Sequence, residues 1–177
     1  ALHNQTLPVR LNTEKDEKGD CFFIPAGTVH AICKGCYIAE IQQTSDITYR
    51  IYDYDRRDKN GNPRELHTEL ATDVINFCEQ KQHSIHYHQH ENHTEELVSC
   101  NYFTTNYLKF DKEVEKDYIE LDSFVIYMCL EGNFTLVYDV DKTVKVNKGE
   151  TILVPAILKN LFLIPETEAE ILEIYIR

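Results

Sequence analysis

The first candidate for chemistry is a histidine that ends a strand-and-turn segment. Gly19 is followed after five residues by Pro25, then by Gly27 and His30. This spacing predicts a strand that rises to a Pro-x-Gly turn, with the histidine placed just after the turn. A neutral imidazole at a turn, flanked by apolar residues, is a good zinc ligand. The alternative is a hydrogen-bonded core histidine.

An arginine follows this histidine by twenty residues. Arg50 lies in the segment TYRIYDYDR with Tyr52 and Tyr54 at alternate positions, so a single strand face is predicted to carry all three side chains. A cation on the inner face of a barrel is destabilising unless it meets an anion, and a substrate phosphate would supply one. The alternative is a salt bridge with a carboxylate of the chain: Asp46, Asp53 or Glu40.

Two further groups of residues have metal-binding types but weaker spacing. Cys33 and Cys36 form a C-x-x-C pattern, which occurs in zinc knuckles and redox pairs. Lys34-Gly35 between them instead predicts a tight hairpin turn. A histidine-rich stretch is interpreted as a solvated linker, with a metal site as the alternative, because three of its histidines would share one strand face. Its histidines are His83, His86, His88, His90 and His93, and Glu95 follows them.

The elements that must position these residues are mainly strands. Runs of β-forming residues, separated by Gly or Ser-Asp turns, predict strands at CFFIPAG, YIAEIQQ and ITYRIYDYD, and again from Leu97 onward. Pro63 and apolar residues at helical spacing predict one helix over residues 64–79. The predicted organisation is a first module over 1–80, a His-rich linker over 81–95 and a second module over 96–177.

An internal repeat supports this organisation. Residues 149–160 (GETILVPAILKN) repeat the register of residues 19–30 (GDCFFIPAGTVH), with Gly, an acid, an apolar run, Pro and Ala aligned. The second copy has Ile157 in place of Gly27 and Asn160 in place of His30. We therefore expect two copies of one β-module, the second without a metal site.

Composition excludes several classes of protein. The 177 residues carry a net charge of −12, which repels phosphodiester backbones and makes nucleic acid an unfavourable partner. Because no run of 18 apolar residues occurs, no membrane-spanning helix is expected. Six cysteines, most of them inside apolar runs, predict buried free thiols and a cytoplasmic protein.

Several segments together resemble one family. The spacing from Gly19 to His30 resembles that of the second cupin motif, and this resemblance favours His30 as a metal ligand. The runs FFIPAGTVHAI, YIAEIQQTSDITYRIYDYDR and GNPRELHTELATDV resemble the carboxy-terminal part of a type I mannose-6-phosphate isomerase in its short bacterial form, and SFVIYMCLEG and GETILVPA extend the resemblance. It implies a mainly β fold of tandem cupin (jelly-roll barrel) modules with one short helical segment, the first module being incomplete.

The resemblance also implies a function and a site. The family is zinc-dependent and interconverts mannose 6-phosphate and fructose 6-phosphate through a cis-enediol. Its last zinc ligand matches His30, its active-site arginine matches Arg50, and Glu40 matches a polar, substrate-facing position of the same pocket. The remaining zinc ligands belong to an upstream segment. That segment, or a second copy of the chain, would cover the open edge of the first module. The alternative is a non-catalytic sugar-binding or interaction module.

Overall fold

The computed structural model describes residues 7–45, 47–78 and 83–177. Within these ranges the structure is mainly β and divides into two compact units, Ala1–Ser84 and Ile85–Arg177. Its elements are a 3₁₀ turn at Pro8–Arg10, helix α1 at Thr68–Val74, and strands β1 Cys21–Phe22, β2 Ser84–Ile85, β3 His93–Ser99, β4 Thr104–Phe110, β5 Val114–Asp117, β6 Val125–Asp139, β7 Lys142–Asn147, β8 Thr151–Val154 and β9 Asn160–Tyr175.

The second unit is built on one antiparallel sheet. Its strand order is β3-β4-β9-β6-β7, with β5 added to β9 and β8 added to β6. The two long strands β6 and β9 pair with each other along most of their lengths, and the register shifts on either side of Gly132. Such bulges bend a strand. The long pair therefore supplies partners both to β4 and β5 and to β7 and β8.

The core of the second unit lies on one face of this sheet. Residues at alternate positions of β6, Val125, Tyr127 and Cys129, are buried, as the two-residue period of a strand requires. Phe134 makes edge-to-face contacts with both Phe110 and Tyr127. Burying a large apolar side chain stabilises a fold by about 1.5–3 kcal/mol. The apolar runs of the sequence therefore account for the hydrophobic core of this unit.

The helix of the first unit is shorter than the predicted range of 64–79. It begins after His67, which makes no side-chain capping hydrogen bond, and it ends because Ile75 is already extended (φ −64°, ψ 129°). Pro63, which was expected to open the helix, pairs instead with Arg57 in an isolated antiparallel bridge. The bridge fixes residues before α1 in a loop, so the prediction of a helix from residue 64 was wrong at its start.

Two of the three strands predicted in the first unit do not form. Only CFFIPAG yields a strand, β1, which pairs with β2. In the segment ITYRIYDYD, Tyr54 and Asp55 have positive φ values of 53° and 52°, a left-handed conformation that ends a strand. A strand also needs a ladder partner for its N–H and C=O groups, and the described part of the chain offers none to these segments.

The apolar residues of the first unit are consequently exposed. Tyr37 is 91% exposed, Phe77 is 77% exposed and Ile47 is 70% exposed, whereas Ala71 is the one buried hydrophobic residue among those described in this unit. All six cysteines are free, and only Cys129 is buried, so the prediction of buried thiols was wrong for the others. No helix within the described ranges is both long enough and apolar enough to cross a membrane.

The internal repeat is visible as recurring hydrogen bonds. Before the strand of the first copy, the backbone N–H of Asp20 donates to Glu17 O (3.1 Å), and the Asp20 carboxylate accepts from the Glu17 N–H (2.7 Å). Before β8, Glu150 makes the same two hydrogen bonds with Asn147, at 3.0 and 2.8 Å. The same turn geometry therefore precedes the strand in both copies.

The turn after the strand also recurs. The Thr28 N–H donates to Pro25 O at 3.2 Å in the first copy, and the Leu158 N–H donates to Pro155 O at 3.0 Å in the second. Both turns begin with proline, whose fixed φ suits this position. The internal repeat of the sequence therefore corresponds to a repeated local structure, with the same turn before and after each strand.

Candidate functional site

The turn that carries His30 depends on a glycine. Gly27 has a φ of +83°, and a Cβ atom built on it would lie 2.6 Å from the carbonyl oxygen of Val74. The Asn76 N–H donates to the carbonyl oxygen of Gly27 at 2.9 Å. The turn therefore packs directly against the end of α1, and only a residue without a side chain fits there.

His30 lies exposed at the end of this turn, and one hydrogen bond fixes its tautomer. Its Nδ1 atom is 2.9 Å from the backbone oxygen of Thr28. A carbonyl oxygen can only accept, so Nδ1 carries the proton and the neutral ring keeps a lone pair on Nε2. A backbone carbonyl orients metal-binding histidines in this way. His30 is therefore prepared to donate its Nε2 lone pair, although its role as a ligand stays a prediction.

The same turn contains the buried hydroxyl of Thr28. The Oγ1 atom of Thr28 is buried and makes no hydrogen bond within the part of the chain that the structure describes. Buried polar atoms without a partner are rare in native proteins, because each one destabilises the fold. The turn around His30 thus has an unmet hydrogen-bonding requirement.

Arg50 is held by its backbone to the residue before α1. The Arg50 N–H donates to Nδ1 of His67 at 3.1 Å, and the His67 N–H donates back to the carbonyl oxygen of Arg50 at 2.7 Å. Because Nδ1 of His67 accepts, a neutral His67 carries its proton on Nε2, the reverse of His30. The sequence did not indicate His67, since it stood inside the predicted helix.

The contacts of the Arg50 side chain with other described residues are long. Its Nη1 atom donates to the backbone oxygen of Glu65 at 3.4 Å, and its Nε atom is 4.0 Å from the Asp53 carboxylate. The side chain is 28% exposed. Asp46, one of the carboxylates considered for Arg50, lies outside the described residues. The predicted strand face shared by Arg50, Tyr52 and Tyr54 does not exist, because this segment is irregular.

Asp53 forms its main ion pair with another arginine, Arg64. Arg64 donates from Nε to one Asp53 oxygen at 2.7 Å and from Nη2 to the other. This bidentate hydrogen bonding is the first cause that lowers the pKa of Asp53, with the charges of Arg50 and Arg56 adding to it. Asp53 thus neutralises Arg64 more fully than Arg50, which leaves the Arg50 guanidinium able to attract an anion.

Glu40 is exposed, and its side chain makes no hydrogen bond or ion pair among the described residues. Its role as a substrate-facing residue stays a prediction.

The residues present do not form a complete metal site. No group of three or more His, Cys, Asp and Glu side chains within residues 7–45, 47–78 and 83–177 could hold a metal ion. His30 fits zinc as a single imidazole ligand, but a structural or catalytic zinc site needs at least three protein ligands. Further ligands would have to come from outside these residues.

The C-x-x-C pattern lacks the properties of a redox pair. Lys34 and Gly35 form the expected turn, with a φ of +96° at Gly35. A hydrogen bond from the thiol to the Asp16 carboxylate raises the pKa of Cys36. Reactive cysteines have lowered pKa values, so the surroundings of Cys36 disfavour the thiolate.

After the short strand β2, the histidine-rich stretch is irregular from residue 86 to residue 90. His88 and His90 have ring centroids 5.8 Å apart, and Nδ1 of His90 lies 2.6 Å from the Glu95 carboxylate. Residues 86–90 are irregular, so the strand face expected for these histidines is absent. The His90–Glu95 pair is exposed and lies outside any metal-binding group formed by the described residues.

Comparison with known proteins places these features in a family. No protein-family model matches the chain. Over 147 residues it is 35% identical to mannose-6-phosphate isomerase ManA of Bacillus subtilis (strain 168), a match that spans 82% of this chain and 46% of that protein. Over 57 residues it is 56% identical to the mannose-6-phosphate isomerase of Streptococcus mutans serotype c, spanning 32% of this chain and 18% of that one.

A solved structure agrees with the sequence matches. The crystal structure of the mannose 6-phosphate isomerase from Bacillus subtilis superposes with a TM-score of 0.64 at 30% identity, covering 75% of this chain and 41% of that one. The predicted fold class, mainly β with cupin modules and one short helix, is confirmed, although the described strands form no closed barrel. The chain spans about half the length of the curated relatives it matches. It belongs to the mannose-6-phosphate isomerase family and corresponds to the carboxy-terminal part of such an enzyme.

Proposed function

We propose that this chain is the carboxy-terminal part of a cytoplasmic, zinc-dependent mannose-6-phosphate isomerase, which interconverts mannose 6-phosphate and fructose 6-phosphate through a cis-enediol. The observation that carries the proposal is the turn at Gly27, which fixes His30 with an Nε2 lone pair in a chain 35% identical to ManA. When bound, zinc would polarise the sugar carbonyl and hydroxyl.

Arg50 supplies the positive charge of this site. Its backbone is fixed by two hydrogen bonds to His67, so the guanidinium starts from a defined position. Its contact with Asp53 is long, at 4.0 Å, because Arg64 holds that carboxylate. We assign Arg50 to the substrate phosphate or to the negative charge that develops on the enediol oxygens. Glu40 would face the same substrate.

The proposed site is completed by residues outside this chain. Apolar residues such as Tyr37 and Ile47 are exposed in the same unit, which supports this proposal. Exposed apolar residues of this kind are typical of a surface that another segment covers. We propose the upstream part of a full-length isomerase as that segment, because the relatives are about twice as long as their match to this chain. A second copy of the chain is the alternative.

A chimera tests the proposal. The 177 residues are fused behind the amino-terminal half of Bacillus subtilis ManA, purified free of metal and given zinc again. We expect one zinc per chain and turnover of mannose 6-phosphate. His30→Ala should remove the zinc. Arg50→Ala should keep the zinc and lose about 100-fold or more in turnover, as removal of an electrostatic catalytic group does.

Two controls make the result interpretable. Arg56→Ala changes a nearby exposed arginine that lies over the Tyr54 ring, and it should leave zinc and turnover unchanged. His93→Ala removes an exposed histidine of the second unit and should not change the zinc content. If the folded chimera binds zinc equally well without His30, or turns over equally well without Arg50, the proposed roles are wrong. A folded chimera with neither zinc nor turnover would favour the non-catalytic sugar-binding or interaction module.

A further inference from the structure

The second unit has a polar cluster on the buried face of its sheet. Asn106 of β4 lies opposite Glu173 of β9, which in turn lies opposite Tyr127 of β6. Residues directly opposite each other on antiparallel strands point to the same face. The neighbouring positions on that face, Leu108 and Ile171, are fully buried and apolar. The core face therefore changes from apolar to polar at Glu173.

The centre of the cluster is a buried ion pair. Lys116 is 8% exposed and Glu173 is 2% exposed, with Nζ 3.0 Å from Oε1. The other carboxylate oxygen accepts from Nδ2 of Asn106 at 2.8 Å, and Oε1 also accepts from the Tyr118 hydroxyl. Lys116 donates in addition to Oγ1 of Thr94 at 2.7 Å. Buried ion pairs rarely stabilise a fold more than apolar residues of similar volume, so stability alone does not explain this pair.

The cluster opens into a cavity of about 570 Å³. The walls include Thr94, Lys116, Tyr118 and Glu173, and Tyr175 adds an aromatic ring. Small-molecule sites in proteins fall in this range of volume and combine apolar surface with a few placed polar groups. The cavity is therefore large enough for a molecule of monosaccharide size.

Hydrogen-bonding capacity remains in the cluster. An ammonium group has three N–H donors, and among the described residues Lys116 directs its contacts to Thr94 and Glu173 only. The Oδ1 atom of Asn106 also has no partner in the described part of the chain, but it is buried and Asn106 does not line the cavity, so the proposal does not use it. A ligand hydroxyl can both donate and accept, which suits a wall of mixed donors and acceptors.

The charges around the cavity argue against an anionic ligand. Lys116 is neutralised by Glu173, and Arg177 lies 3.1 Å from the Glu96 carboxylate. Asp117 and Glu120 also line the cavity and add negative charge. A phosphate would meet this negative potential without an uncompensated cation to bind it.

We propose that this cavity is a binding site for a neutral, polyhydroxylated molecule of monosaccharide size. Lys116, Thr94 and Glu173 bind its hydroxyl groups, and the Tyr175 ring packs against its carbon skeleton. The site lies wholly within Ile85–Arg177 and uses neither His30 nor Arg50. It therefore goes beyond the proposed isomerase function, and either proposal can fail without the other.

The test is a titration of the full chain, labelled with ¹⁵N, with D-mannose and separately with D-mannose 6-phosphate. Weak binding is expected of so small a ligand, so D-mannose should shift the amide signals of residues 94, 116–118 and 173 saturably with a Kd of about 1–10 mM. Thr94→Val leaves the Lys116–Glu173 pair intact and should weaken binding at least about threefold, the loss of one hydrogen bond. Lys116→Met should weaken it about tenfold or more, the loss of a charged donor.

The control is Lys145→Met, which removes an exposed lysine that pairs with Glu166 on the same unit. It should leave the titration unchanged, and the dispersion of the amide signals shows whether each variant is folded. The proposal fails if D-mannose and D-fructose cause no saturable shifts in this cavity at about 50 mM, far above the expected Kd. It also fails if shifts occur only around His30 and Arg50, if folded Thr94→Val and Lys116→Met both bind as well as the wild type, or if D-mannose 6-phosphate binds more tightly than D-mannose.

Discussion

Arg64 holds both carboxylate oxygens of Asp53, a residue eleven positions earlier in the chain. The Asp53 side chain is 10% exposed and the Arg64 side chain is 45% exposed, so solvent reaches the pair mainly from the arginine side. The two arginines therefore differ in how far their charges are neutralised. Arg64 is bound to a carboxylate of the chain, whereas Arg50 keeps a charge that an external anion can meet.

This relationship predicts the titration of Asp53. Arg64→Gln removes the hydrogen bonds that are the main cause of its lowered pKa, so the pKa should rise towards the ordinary value of about 3.9. Carboxyl carbon shifts followed by NMR during acid titration measure it. Arg57→Gln, which removes a neighbouring arginine paired with Asp55, is the matched control and should leave Asp53 unchanged.

The lowered pKa of Asp53 also predicts how the free energy of unfolding changes with pH. Because the pKa of Asp53 is lower in the folded chain, its stabilising contribution is present above the unfolded pKa of about 3.9 and is lost as the pH falls through the folded value. The difference in unfolding free energy between wild type and Arg64→Gln should therefore shrink below about pH 4. A difference that stayed constant down to the lowest pH reached would contradict this assignment.

Gly27→Ala should destabilise the first unit more than Gly35→Ala. Both glycines have left-handed φ values, +83° and +96°, so each substitution carries a backbone penalty of about 1 kcal/mol. Only at Gly27 would the new methyl group meet a neighbour, Val74 O at 2.6 Å, which adds about 1–3 kcal/mol.

Amide hydrogen exchange at Asn76 measures this difference locally, because its N–H donates to the Gly27 carbonyl oxygen. Exchange should be faster in Gly27→Ala and nearly unchanged in Gly35→Ala. Equal exchange in the two variants would mean that the turn does not pack on α1.

Tyr118→Phe should lower the free energy of unfolding by about 1–3 kcal/mol, because it removes a buried donor to Glu173. Tyr37→Phe, at a residue 91% exposed, is the control and should have little effect. Denaturant unfolding followed by circular dichroism gives both values. A Tyr118→Phe protein as stable as the control would show that the hydrogen bond contributes nothing.

Tyr118 and Tyr127 are also expected to ionise late when the pH is raised. Burial is the first cause that raises the pKa of Tyr118 and of Tyr127, so both keep their protons in the folded chain when exposed tyrosines have ionised. Their stabilising contribution is complete below the unfolded pKa of about 10 and declines as the pH rises above it. Ultraviolet titration of the eleven tyrosines should show a late group that ionises only with unfolding. A single phase, with the chain still folded, would contradict this.

Asp16→Asn should make Cys36 more reactive. The Asp16 carboxylate accepts a hydrogen bond from the thiol, and this is the first cause that raises the pKa of Cys36. Removing the charge lowers the pKa, so alkylation by iodoacetamide should reach half its maximal rate at a lower pH. Asp20→Asn is a control, because its carboxylate accepts from the Glu17 N–H instead. An unchanged pH profile in Asp16→Asn would exclude the hydrogen bond.

Local turn chemistry could be predicted from the sequence. The Pro25 and Pro155 turns and the Lys34-Gly35 turn depend on residues within four positions of one another, so their signals are complete in the sequence. The apolar run SFVIYMCL likewise predicted a strand, but Ile126 and Met128 are as apolar as the buried residues beside them, so the sequence did not indicate which face is buried.

Features that depend on distant partners could not be predicted. The segments around Tyr37 and Tyr54 have strand-like composition, but a strand forms only where a second strand accepts its hydrogen bonds. The two hydrogen bonds between Arg50 and His67 join residues seventeen apart, and no local sequence pattern predicts them. Asn106 and Glu173 meet across sixty-seven residues. A lone Glu late in an apolar strand could have suggested a buried polar group, but not its partners.

The exposed apolar residues of the first unit have a consequence for the life of this polypeptide. A surface that carries Tyr37, Ile47 and Phe77 in water is the kind that chaperones retain and proteases degrade. The second unit, in contrast, has a buried hydrophobic core. If another segment covers the first unit as proposed, assembly would protect this chain from degradation and would set how much of it accumulates.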